Sequence, residues 1–93
     1  MSPEETNPQL GEAILEVVEN QIRENNPPET RQTLARLRKL GYPGKEARRM
    51  IATVVSVELF HIMRDREEFN RERFLRHLAK LPGEPWNEDG TSD

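Results

Sequence analysis

Between Lys45 and Arg64 the chain reads KEARRMIATVVSVELFHIMR, and this run constrains the fold more than any other stretch. Its apolar residues recur at Ala47, Met50, Ile51, Val54, Val55, Leu59 and Ile62, the spacing of one helical face, and Val57, Phe60 and Met63 widen that face onto its flanks. A helix with so broad an apolar surface has to be covered on more than one side. The spacing therefore predicts a central helix over about 44–64 with further helices around it. At about 100° per residue, the middle of the apolar face falls near Ala47, Ile51 and Val54, and two ionisable residues, Glu58 and His61, land on the same face. No other part of the chain breaks its local pattern in this way.

Taken in order, the other segments supply the cover. Residues 1–7 are polar and aperiodic and read as a flexible lead-in. A first helix over about 8–25 starts with Asn7 as N-cap and Pro8 in its first turn, and buries Leu10, Ile14, Val17, Val18 and Ile22. Asn26-Pro27-Pro28-Glu29 predicts a helix start with Asn26 as cap and Glu29 reaching back to its amide. The second helix then runs to Leu40, burying Leu34, Leu37 and Leu40, exposing Arg31, Arg36, Arg38 and Lys39, and ending at a left-handed Gly41. Tyr42-Pro43-Gly44 forms the corner into the central helix, which gives way after Arg64 to a charged turn. Asn70 caps a fourth helix over about 71–81, with Phe69 stapled onto Phe74 and with Phe74, Leu75, Leu78 and Leu81 buried. Residues 83–93 have the composition of a disordered acidic tail, on which Trp86 is the one large apolar residue. The expected fold is all-α: a single four-helix domain over 8–82 with the third helix buried at its centre.

Composition narrows the function. The hydrophobic share of 33% is low, so the core is small, and a partner or a second copy covering part of the central helix would add needed burial. The chain has no Cys, which fits a reducing, cytoplasmic setting and excludes a thiol nucleophile or a thiolate metal site. Neither a secretory leader nor an apolar run of the ~18 residues that a membrane span needs is visible. Net charge is −3 but unevenly placed: −5 over residues 1–24, +6 over 25–80 and −4 over 81–93. A basic middle attracts phosphate, whereas acidic ends repel a polyanion.

Three site readings follow. Glu58 and His61, three apart on one face, form a buried polar network in which Glu58 pairs with His61 or with Arg36, Arg73 or Arg76 of a neighbouring helix. Alternatively, Glu-x-x-His is half of a di-metal carboxylate motif, which a symmetric dimer could complete with Glu16 or Glu19; His77 stands outside that spacing. The third reading is a helix-turn-helix in which Lys45, Arg48, Arg49 and Thr53 line a recognition helix, against which the acidic ends argue. Catalysis finds no support. Thr33, Thr53 and Ser56 are scattered hydroxyls, with no phosphate loop, nucleophile elbow or cofactor motif around them.

The run Leu37 to Tyr42, with Glu46, Ala47 and Ile51 after it, resembles the loop between the first two helices of ubiquitin-associated-type three-helix modules, which bind protein surfaces through that loop. The following helix is too long here for that fold. Asn26-Pro27-Pro28-Glu29-Thr30, the Gly41-Tyr42 corner, Ala47, Ile51, Val54 and Glu58-Leu59-Phe60 together resemble a family of short bacterial all-helical domains of unknown function, over about residues 16–82. The N-x-P-P-E-T run is the most specific part. This resemblance implies no activity and no cofactor. It makes Glu58 a signature polar residue, and because relatives of that type hold a His where Met50 stands, it implies that a ligand role at that position is absent here. The expected function is a small non-enzymatic interaction or accessory domain, with a protein partner or a second copy of itself and no membrane contact.

Overall fold

A computed structural model describes residues 8–83. Among them are four helices: α1 (Pro8–Glu24), α2 (Pro28–Lys39), α3 (Gly44–Asp65) and α4 (Arg71–Lys80). The fold is all-α, as the sequence predicts. The expected lead-in, the Asn7 cap and the acidic tail with Trp86 lie outside the described residues.

α3 is the centre, packed against α1, α2 and α4. Its Ala47, Ile51, Ala52 and Val54 are fully buried, and they meet Ile14 and Val18 of α1, Leu37 of α2, and Phe74 and Leu78 of α4. Leu81 closes the core just beyond α4. An ion pair between Arg48 and Glu19 ties the N-terminal half of α3 to α1. No helix among the described residues is long and apolar enough to cross a membrane.

Helix ends explain the connections. α1 and α2 both finish by turning one residue left-handed, Asn25 (φ 54°) and Gly41 (φ 106°). At each, two amides fold back onto the last turn: Asn25 to Ile22 and Asn26 to Gln21, Gly41 to Arg38 and Tyr42 to Leu37. This corrects the expected start of α2. Because the Asn26 amide is already bound to α1, Asn26 forms no capping box with Glu29; Pro27, after a cis peptide bond, is the N-cap residue, without a side-chain cap. The Glu29 carboxylate instead lies 3.5 Å from Arg71 of α4. At α4 the expected start holds: the Asn70 side chain accepts the Arg73 amide at 2.9 Å, and the Phe69 and Phe74 rings meet at a tilt with centroids 5.5 Å apart.

On α2, burial departs from the periodic reading in three places. Leu40 is exposed: its backbone is still helical (φ −75°, ψ −5°), but it stands at the very end of α2 as the C-cap residue. Thr30 and Thr33 take its place on the buried face of α2, with their hydroxyls satisfied by the Gln21 side chain and the Glu29 carbonyl. Arg36, expected in solvent, is half-buried and donates to the carbonyls of Leu78 and Leu81.

Candidate functional site

The chemistry of the molecule concentrates where α4 begins. Glu58 is 2% exposed on α3. The chain leaves α3 through a left-handed Arg66 and returns at Asn70, so that the Asn70 amide donates to Glu58 Oε2 at 2.9 Å. Arg73, in the first turn of α4, then presents two donors in parallel: Nε to Oε1 and Nη2 to Oε2, both at 2.9 Å. Glu67 accepts a further hydrogen bond from Arg73 at 3.0 Å. Glu58 also faces the positive end of α4, which favours its anion.

Burial alone would push the Glu58 carboxyl up. The Arg73 hydrogen bonds, the Asn70 amide and the positive charges of Arg73 and His61 outweigh it and hold the group below the ordinary carboxylate range. Glu58 is therefore a buried anion with both oxygens engaged.

His61 does not join it. Its ring is half-buried, with Nδ1 3.6 Å from Asp65 Oδ2 and an edge turned to Phe60, so the expected Glu58–His61 network is replaced by Glu58–Arg73–Glu67. The reason lies in where α4 crosses: its first turn meets α3 at Glu58, one turn short of His61. The other residues considered as ligands are dispersed. Glu16 is exposed, Glu19 is paired with Arg48, and His77 is buried on α4. Among the described residues no three carboxylates or imidazoles cluster as a metal site would require. The would-be recognition residues are also partly committed, Arg48 to Glu19 and the Gly44 carbonyl, and Thr53 to the Arg49 carbonyl.

Beside the Glu58 clasp lies a feature that no single helix's periodicity reveals. α4 leans on α2 and α3 and scarcely meets α1, which leaves an apolar groove of about 300 Å³ between α1 and the start of α4. One wall is Leu10, Ala13 and Val17 of α1; the floor is Val55, Leu59 and Ile62 of α3, with Glu58 at its edge; Phe69 and Phe74 form the far wall. Leu10 and Val17 remain 37% and 42% exposed although they belong to the apolar stripe of α1. The described residues therefore bury both of them only in part.

Searches of protein-family models, curated proteins and solved structures find no match to this chain.

Proposed function

We propose that this protein is a small non-enzymatic interaction domain that receives the apolar face of a helix from another protein in the groove between α1, α3 and the start of α4. The observation that carries the reading is the apolar side of the bundle that the described residues leave open. A four-helix array normally closes its core on all sides, and here the α1–α4 side exposes Leu10, Val17 and Phe69 around a concave apolar floor. A groove of this kind suits helix-in-groove recognition, in which residues at i, i+3 or i+4, and i+7 insert as anchors.

The rest of the molecule supports binding over chemistry. The one carboxylate buried among the described residues is held by three hydrogen bonds within the fold, so using it as a base or a metal ligand would mean dismantling the junction of α3 and α4. A cysteine-free chain supports a reducing, cytoplasmic setting, and the likeness to short bacterial helical domains supports a bacterial accessory role.

The test is a titration of the ¹⁵N-labelled protein with a synthetic amphipathic helix carrying a three-turn leucine stripe and neutral flanks. Amide shifts confined to residues 10–21, 55–62 and 69–74 are expected. Shifts scattered over α2, or none at millimolar peptide, would remove the proposal.

A further inference from the structure

We infer that the groove selects a partner helix with basic flanks, that is, a cationic amphipathic helix rather than a second copy of this chain. The inference rests on the proposed groove reading and adds the charge of the occupant. The lips on the two sides of the groove have the same sign. On α1, Glu16 stands three residues after Ala13 and directly before Val17, both lining residues, while Glu24 follows the lining residue Gln21 by three. On the opposite lip Glu68 precedes Phe69. Glu16 and Glu68 are exposed, and neither takes part in an ion pair among the described residues.

The nearby bases do not offset these acids. Arg73 is turned inward to Glu58 and Glu67, Arg23 lies beside Glu24 at 3.9 Å, Arg64 and Arg71 are paired with Asp65 and Glu29, and Arg66 follows α3 as its left-handed C-cap residue. The apolar floor therefore lies between two acidic edges. From Leu10 to Gln21 the α1 wall is about 16 Å long, or three helical turns, which matches an occupant with anchors at i, i+4 and i+7. Lysines or arginines beside that stripe would reach Glu16 on one side and Glu68 on the other.

A second copy fits poorly for the same reason. Two copies meeting through α1 would bring like charges together, because α1 carries Glu12, Glu16, Glu19 and Glu24 against Arg23 alone. Net charge enters recognition here through its placement along the groove.

Two synthetic helices with the same three-turn leucine stripe, one flanked by lysine and one by glutamate, test the inference on the full chain by titration calorimetry. The lysine peptide should bind at least about tenfold more tightly, and the gap should narrow as salt rises from about 50 to 500 mM. Glu16→Lys with Glu68→Lys should invert the preference. Val17→Glu adds an acid beside the groove, so attraction to a merely acidic surface would strengthen, whereas groove docking should weaken by about tenfold. Leu10→Glu serves in its place if circular dichroism shows that Val17→Glu does not fold.

Equal binding of both peptides, weakened by Val17→Glu, would overturn the charge inference while leaving the groove reading intact. Binding indifferent to both Val17→Glu and Leu10→Glu would overturn the groove reading itself. A dimer of the free protein in sedimentation that Val17→Glu converts to monomer would give the groove to a second copy, and the inference would fall.

Discussion

The guanidinium of Arg73 meets the carboxylate of Glu58 edge to edge, through two hydrogen bonds of 2.9 Å, in surroundings that leave the two side chains only 15% and 3% exposed. This pair fastens the short α4 to the middle of α3. Glu58 has almost no water to fall back on and depends on Arg73, whereas Arg73 also holds Glu67. An isolated buried ion is far more costly than a paired one, whereas replacing both members with apolar residues is often nearly neutral.

A double-mutant cycle should expose that dependence. Arg73→Met leaves Glu58 with the Asn70 amide alone and should cost about 3–5 kcal/mol; Glu58→Met should cost about 2–3 kcal/mol, because Arg73 retains Glu67. The double variant should lose less than either single one. Urea denaturation measures all three, and strictly additive losses would mean that the pair is not coupled.

Acid should act through the same carboxylate. Its folded-state value lies below the ordinary 4.5, so the unfolded chain binds the proton more readily. The stabilisation is thus complete above about pH 5 and is lost as pH falls through the depressed folded value. Asp65, lowered by its hydrogen bonds to Arg64, shifts stability in the same direction but is solvent-exposed. The Arg73 guanidinium, raised further by Glu58, titrates beyond any useful range. Through these carboxylates stability should therefore decline below about pH 5, and Glu58→Gln should flatten that acid limb. An acid limb unchanged in Glu58→Gln would assign the decline to other carboxylates.

Two leucines three residues apart offer a sharp contrast. Leu37 is fully buried and Leu40 is 58% exposed, so Leu37→Ala should cost about 2–5 kcal/mol and Leu40→Ala under about 0.5 kcal/mol. Comparable losses in thermal unfolding would contradict the exposed placement of Leu40.

That contrast marks how far local pattern reaches. The width of the apolar face of α3 is enough to make it central, and the Asn70 cap with the Phe69–Phe74 staple is legible because every partner lies within five residues. Leu40 obeys the same periodicity as Leu37 and is nonetheless exposed, because it is the C-cap residue, where α2 ends. Asn25 ends α1 in the same conformation as Gly41, and the signal for it was the paired asparagines, since Asn is the non-glycine residue most at ease there. Glu58 announces itself as a charge on an apolar face. Its partner does not, because Arg36, Arg73 and Arg76 are all arginines of suitable length and only the crossing point of α4 decides among them. The groove is less visible still, since it arises from two helices that fail to pack, and no periodicity within either one encodes that.

The basic residues of α2 have a structural use that their spacing hides, and Arg36 tests it. Arg31 donates to the Ile22 and Arg23 carbonyls at the end of α1, and Arg36 to the Leu78 and Leu81 carbonyls, at 3.0 and 2.6 Å, at the end of α4. Each cation meets the negative end of a neighbouring helix, where carbonyls of the last turn and the helix dipole both favour it. For α4 this matters more, because ten residues form a helix of marginal intrinsic stability, anchored at its start by Glu58 and at its end by Arg36. Arg36→Met keeps much of the aliphatic stem and removes both hydrogen bonds; it should cost about 1–3 kcal/mol. Arg36→Lys should recover only part of the loss, since a single ammonium does not reproduce the two-carbonyl fork. Hydrogen exchange should quicken selectively at the Leu81 and Gly83 amides, which close the last turn of α4, while Arg73 and Phe74 at the clasped end stay protected. Uniform acceleration across α4 would show that the helix opens as one unit and that its two anchors are not independent.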